Sequence, residues 1–504
     1  MELTVIIFLL LLSIILCTCF YVLSPAPRSI KGNLPPGPYR YPIIGNILDL
    51  GRNSHRSTAQ LSKVYGPLMS LKLGNVTLMV ITSPQLAKEA LQKHDQSMYG
   101  RANPAVSEVH GHGKVSMIWL PTNDSRWRVL RGICKNHIFS RRRLDETEPL
   151  RQENLRKLRD YMQECYDSCG RVVNISSMAF SLSLNLLTST LFSRDLSPLD
   201  SGPEATHDGV MEIVKALIKG VSTANVADYF PIFKFVDPQG IKRRAKAYVG
   251  KMFAILDDII SQRLQARWSL SMDSALSNDI LDVLLDLSES DQLPQNQIKH
   301  LLMDLILAGT EATATTVEWT MAELIRNPTK MAKARHELQT LIGHDKQVQE
   351  SDISSLPYLN AVVKESMRLH PIGPLLIPHK AETDVEMCGY LIPKNASVMV
   401  NVWAIGRDPS IWHDPERFEP ERFFDRKIEF KGHDFELIPF GSGRRICPGM
   451  TLADRMVHLV VANMIHDFDW KLEGGMKPEE LDLNENFTFS LHKAVPLKAI
   501  PIKL

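Results

Sequence analysis

From Leu3 to Leu23 the chain is almost unbroken apolar sequence. At a helical rise of about 1.5 Å, about 20 such residues cross the ~30 Å hydrocarbon core of a bilayer. The run is longer than the apolar part of a signal peptide, and no small-residue cleavage site follows it, so it predicts a retained transmembrane anchor over 1–24. Glu2 precedes the run and Arg28 and Lys31 follow it, which places the rest of the chain on the cytosolic side. Leu34-Pro35-Pro36-Gly37-Pro38 cannot continue a helix, and 25–40 reads as a stiff Pro-rich hinge leading to a body over 41–504.

In the body the apolar spacing is mostly helical, with a few short strand-like runs. The expected fold class is mainly α with a minor β-sheet. Met69 to Ile81 reads as strand-turn-strand with Gly74-Asn75 at the turn, and Ser397 to Val402 as a second strand region. Gln295 to Arg326 has continuous helical character and stops at Asn327-Pro328. At about 30 residues it far exceeds the usual ~11–12, so it must cross the whole body. Met450 to His466 reads as another helix. No linker, internal repeat or low-complexity stretch divides the body, and 504 residues suffice to bury a large cofactor.

A formal net charge of +1 gives no reason to expect nucleic acid as a partner. The seven cysteines are odd in number and irregular in spacing, which disfavours a zinc site or a disulfide framework and suits a reducing compartment. Triplets such as Asn75-Val-Thr77 and Asn174-Ile-Ser176 are then chance matches to a glycosylation signal.

The strongest chemical signal is Phe440-Gly441-Ser442-Gly443-Arg444-Arg445-Ile446-Cys447-Pro448-Gly449. Gly441, Gly443 and Gly449 allow the backbone to approach a flat ligand closely. Cys447 stands at the start of the Met450 helix, where free N–H groups and the helix dipole stabilise a thiolate. Alone, such a cysteine reads as a buried structural thiol; the ten-residue arrangement favours a ligand to heme iron. Arg445 is placed to pair with a heme propionate.

These residues resemble the heme-binding loop of the cytochrome P450 family, and the resemblance extends over essentially the whole chain. Glu365-Ser366-Met367-Arg368 matches the family's Glu-x-x-Arg, and Phe418 to Phe423 its Pro-Glu-Arg-Phe region, so that Glu365, Arg368 and Arg422 would lock the core below the heme. Trp127 and Arg131 match Trp-x-x-x-Arg, whose members meet the propionates, although their spacing also suits an amphipathic surface helix. His379, after Pro378, is expected near a propionate or as an ordinary partly buried histidine. The resemblance implies heme b (iron protoporphyrin IX) with Cys447 as axial thiolate and metal ligand. It further implies electrons from NADPH through NADPH-cytochrome P450 reductase, and a cytochrome P450 fold behind one transmembrane helix in the endoplasmic reticulum membrane. Arg126, Arg128, Lys135 and Arg141 to Arg143 would give that acidic reductase a basic docking side, or are simply a solvated face.

The long helix departs from the family pattern. Ala308-Gly309-Thr310-Glu311-Ala312-Thr313 aligns with Ala/Gly-Gly-x-Asp/Glu-Thr, which makes Glu311 the catalytic acid but puts Ala312 at the alcohol position. Three explanations stand. A helix distortion lets Thr313 substitute; a substrate hydroxyl or water does so; or oxygen insertion is weak or absent. Leu34 to Pro38, Glu318-Trp319, Ile405 to Asp408 and Phe468 to Gly474 look like the plant A-type branch, closest to its geraniol hydroxylase and ferruginol synthase group. That group oxidises mono- and diterpenoids, and some relatives act on phenols or alkaloids. The pocket segments implied by the family contribute Ile118, Leu305, Ala308, Leu375, Leu376, Phe487 and Phe489, an apolar set suited to a small apolar substrate. Two activities are expected: hydroxylation of a terpenoid, or oxidation of a phenolic or alkaloid substrate without oxygen insertion.

Overall fold

The computed structural model describes Ile7, Ser13 and residues 33–504 except 169, 200–208, 270–278 and 345. The anchor expected over 1–24 and the first part of the hinge, 25–32, therefore lie outside the described residues, Ile7 and Ser13 apart. The remainder of the proline stretch does not stand free of the body. The carbonyls of Pro35 and Pro36 accept from Ser70 Oγ (2.6 Å) and Ser70 N–H (2.8 Å). A side chain at Gly37 would put its Cβ 2.0 Å from Ser70 O.

The elements that position the site follow in chain order: α1 (Ser54–Tyr65), β1 (Leu68–Leu73), β2 (Val76–Ile81), β3 (Gly100–Arg101), α2 (Ser125–Ile133), α3 (Ile175–Phe192), α4 (Gln295–Arg326), α5 (Pro357–Leu369), β4 (His379–Lys380), β5 (Ser397–Val400), α6 (Met450–His466), β6 (Glu485–Phe487) and β7 (Leu491–Lys493). Strand-turn-strand over Met69 to Ile81 is observed. Leu73 faces Val76 in an antiparallel pair, and Gly74 takes the positive φ of 53° that the two-residue turn requires. Side-chain alternation splits the pair between two cores. Met69, Leu71, Leu78 and Val80 line one, while Leu68, Met79 and Ile81 line the other. The sheet order is β1-β2-β5-β4-β3, with β2 and β5 parallel and the other neighbours antiparallel. The second strand region ends at Val400, because Asn401 caps a short helix beginning at Val402.

The long helix α4 has the bounds read from the sequence. Its 32 residues span about 48 Å, and α3 packs along it. Helix α3 is, among the described residues, the one helix long and apolar enough to cross a membrane, and 89% of it is buried in the fold. Its composition reflects a two-sided core position. Asn174 starts it by accepting from Ser177 N–H (3.1 Å). The four described cysteines, Cys134, Cys165, Cys388 and Cys447, are unpaired with one another.

Candidate active site

Within α4, where almost every neighbour is buried, Ala308 is exposed and Leu307, Gly309, Glu311 and Ala312 are half-buried. One arc of the helix is therefore open to a hollow inside the body. Two sets of bonds place that arc over the cysteine loop. On one side Asp304 accepts from Ser116 Oγ (2.8 Å) and Met117 N–H (3.0 Å), and the carbonyls of Ile118 and Leu120 accept from Arg445. On the other, Glu311 holds Ser490, and Leu491 N–H donates to Ile372 O (2.9 Å). Leu376, in the same segment, has a methyl carbon 4.0 Å from the Cβ position of Gly441.

The loop itself is tightly built. Cys447 N–H donates to Phe440 O (2.9 Å), and Gly441 and Gly443 have φ of 72° and 67°. A Cβ at Gly443 would stand 2.1 Å from Leu91 O, which leaves glycine as the only residue that fits. Gly449, with φ of −86°, meets nothing nearer than Phe139 at 3.7 Å, so the protein side alone does not demand glycine there. Burial pushes the Cys447 thiol up. The Gly449 N–H, the Arg131 guanidinium and the Met450 N–H, in that order, favour the thiolate.

Beside the loop lies a cluster of cations. Arg445 stacks over the Trp127 ring (5.2 Å) and donates to Tyr99 O (2.9 Å) and Leu120 O; burial, with Arg131 adding, brings it down to about 10. Arg131, one turn from Trp127 on α2, donates to Ile446 O next to Cys447. His379 is buried, bonds Met98 O through Nδ1 (2.9 Å), and is pushed down to about 3 by burial and then Arg101, so it is neutral at pH 7. Arg101, absent from the sequence reading, completes the cluster. It donates to Ile377 O and Pro378 O, its Nε is buried without a partner, and burial and then Arg445 hold its pKa well below the arginine range. Among the described residues none of Arg101, Arg131 and Arg445 has a carboxylate partner. Several half-buried cations sharing only backbone carbonyls fit an added dianion, which is what the two heme propionates would supply. Arg101→Ala is expected to weaken heme retention roughly 10- to 100-fold, the scale of one lost charge-assisted hydrogen bond. Heme transfer to an excess of apoglobin measures it.

Below the loop, Glu365 and Arg368 are fully buried on α5 and form a bidentate pair (2.7 and 2.8 Å). Arg422 Nε donates to the same carboxylate (2.9 Å), completing the expected cluster.

The pocket residues divide. Ile118, Leu376 and Phe489 are half-buried, Leu305 and Leu375 buried, and Ala308 open. Phe487, expected in the pocket, instead packs its ring on His55 of α1 (centroids 4.8 Å). Strand alternation is the reason, since Phe487 shares a face of β6 with Glu485 and that face is bound to α1. Thr313, expected as a substitute alcohol, is buried about 140° round the helix from Ala308. Helix α4 is α-helical throughout, without the distortion that would turn Thr313 inward.

Glu485 anchors the β6–β7 hairpin. It accepts from Arg56 and Trp403 Nε1 (3.2 Å) and meets His55 (3.3 Å). Burial alone would raise its pKa, but His55, Arg407 and Arg56 bring it from 4.5 to about 2. With the folded value below the unfolded one, its contribution of roughly 3 kcal/mol is complete above about pH 4.5 and is lost as pH falls towards 2. Glu485→Gln is expected to melt lower at pH 7 and to lose less melting temperature over that acid interval, as a pH series of thermal scans will show. The turn of this hairpin meets α4: Ser490 Oγ donates to Glu311 Oε2 (2.9 Å) and His492 Nε2 lies 3.0 Å from Glu311 Oε1.

An open helical arc over a glycine-framed cysteine, with unpaired cations beside it, is the layout of a thiolate-ligated heme protein. Residues 35–495 match the family model described as Cytochrome P450, and the chain belongs to that family. It is similar to cytochrome P450 76T24 of Catharanthus roseus, 50% identical with 96% of each chain covered. It is also similar to carnosic acid synthase of Rosmarinus officinalis (48%, 94% of each) and ferruginol synthase of Isodon rubescens (47%, 94% of this chain and 95% of that one). It is therefore a heme-thiolate monooxygenase that takes electrons from a reductase and acts on a small organic substrate.

Proposed function

We propose that this enzyme hydroxylates an apolar plant terpenoid, a mono- or diterpenoid, with Cys447 as the heme ligand and Arg101, Trp127, Arg131, His379 and Arg445 around the propionates. The observation that carries this reading is the open arc of α4 at Ala308, with Leu307, Gly309, Glu311 and Ala312 half-buried beside it, in a chain nearly half identical to carnosic acid and ferruginol synthases. The bound heme supplies activation of dioxygen with electrons that originate in NADPH. The protein's part is to exclude water with apolar walls, orient the substrate, and present a proton at Glu311 on the open arc. The chain is anchored in the endoplasmic reticulum membrane by 1–24 with its body cytosolic. The reductase docks on the side carrying Arg128, Lys135, Arg141 and Arg142, all exposed, although Glu146 partly offsets Arg142.

Ala312 favours a second reading: with no alcohol at that position, the enzyme oxidises or couples a phenolic or alkaloid substrate without inserting oxygen. Microsomes containing the protein and a reductase, given a terpenoid panel under isotopically labelled dioxygen, separate the two. One labelled oxygen in a terpenoid product is the expected result. Turnover without label supports the second reading, and no turnover of any terpenoid overturns the substrate class.

A further inference from the structure

Glu311 does not stand alone on the open arc of α4. Both of its oxygens are engaged from the C-terminal hairpin, by Ser490 Oγ at 2.9 Å and His492 Nε2 at 3.0 Å. The other ring nitrogen of His492, Nδ1, lies 3.3 Å from Thr315 Oγ1, one helical turn beyond Glu311. Ser490 and Thr315 are buried, while the His492 side chain keeps 28% of its surface accessible. A continuous hydrogen-bonded path thus runs from an accessible imidazole to the carboxylate that borders the hollow. It lies on the helix that lacks an alcohol at Ala312. The hairpin carrying it is fixed independently, at Glu485 to α1 and through Leu491 O, which accepts from Trp319 Nε1 (2.9 Å).

We propose that His492 is a positioning residue of the monooxygenase reaction, orienting Glu311 together with Ser490 and reloading it with protons in place of the missing alcohol. The step is a plain proton transfer. The Nε2–H bond of the imidazolium breaks and an O–H bond forms on Glu311 Oε1. The neutral imidazole keeps its Nδ1–H, which donates to Thr315 Oγ1 and so fixes the tautomer. The Glu311 acid then offers its proton to the hollow, and His492 takes another from solvent. The charged groups surrounding the imidazole are Glu311 and Glu318 of α4 and Lys493 beside it on β7. The inference rests on Glu311 being the proton donor.

The test uses the full-length, heme-loaded protein with its reductase. His492→Gln keeps a side chain that can hydrogen-bond Glu311 but cannot carry a proton. Product formed per NADPH is expected to fall about 5- to 10-fold, with hydrogen peroxide rising to match and the reduced carbon-monoxide spectrum unchanged. The pH profile of coupling should flatten relative to the wild type. Ala312→Thr alone is expected to improve coupling slightly, and in the His492→Gln background to restore most of what was lost, a rescue that a merely structural role for His492 would not give. A readout independent of turnover is the double-mutant cycle of melting temperatures for Glu311→Gln and His492→Gln. The two changes should be non-additive, because each removes a partner of the other.

Wild-type coupling and pH profile in His492→Gln overturn the proposal, as does a loss of coupling that Ala312→Thr leaves unrepaired. If Glu311→Gln itself leaves coupling unchanged, the assignment of Glu311 falls; if only His492→Gln is silent, the assignment stands and the relay falls. Should His492→Gln fail to take up heme, Thr315→Val and Ser490→Ala probe the two ends of the path by the same assays. A shifted pH profile supports the relay, and an unshifted one overturns it.

Discussion

Glu365→Ala is expected to leave little or no folded, heme-loaded protein. In the wild type this carboxylate accepts two bonds from Arg368, one from Arg422 and one from the Glu419 N–H (2.7 Å), all inside the fold. Its removal strands a fully buried guanidinium and leaves a second one, together with a backbone N–H, short of an acceptor. Breaking a buried pair from one side costs about 3–5 kcal/mol, against a total stability of about 5–15. Arg368 keeps its contacts with Gly406 O, Pro415 O and Arg417 O, which satisfy donors without balancing charge. By contrast, Glu153→Ala, which breaks an exposed pair with Arg156, should change nothing measurable. Heme content per chain and the apparent melting temperature of both variants check the pair of expectations.

Cys447→Ala should abolish the characteristic band of the reduced carbon-monoxide complex and lower heme content several-fold, while the chain still folds. The reason lies in the thiolate's surroundings: the Gly449 and Met450 N–H groups and Arg131 all stabilise negative charge on this sulfur, and alanine gives them nothing to stabilise. Cys134 provides the control. Burial pushes both thiols up, but Cys134 has Arg131 without the two N–H groups, reaches about 12 and stays protonated beside Met117 Sδ (3.6 Å). Cys134→Ala should keep the band intact. Loss of the band in the Cys134 variant and its survival in the Cys447 variant would reverse the ligand assignment.

What the chain reveals before folding depends on how local the cause is. The bounds of α4 and α6 follow from helical spacing of apolar residues and, for α4, from the stop signal Asn327-Pro328. The pairing of Glu365 with Arg368 needs only a helix, since three residues bring them together. Arg101 carries no such signal. It sits on a two-residue strand, and its role arises only when β3 pairs with β4 and carries it to His379. His492 and Glu311 are separated by 181 positions and meet only through the register of a late hairpin. Phe487 shows the same dependence in reverse: an aromatic near the end of the chain suits a pocket, but its strand face is claimed by the bonds of Glu485 to α1. The proline stretch read as a hinge contains nothing locally to announce that Ser70 will clasp it.

That clasp limits geometry beyond the catalytic body. With Asn33 O accepting from Leu391 N–H and Pro35 and Pro36 secured at Ser70, the chain is committed from residue 33 onward. If the anchor ends at residue 24 as proposed, only the eight residues 25–32 separate it from committed backbone, a reach of at most about 28 Å. Such a leash keeps the point where the body is attached within about 28 Å of the lipid surface. An oily substrate dissolved in the bilayer would then diffuse laterally to within that distance of the enzyme's point of attachment.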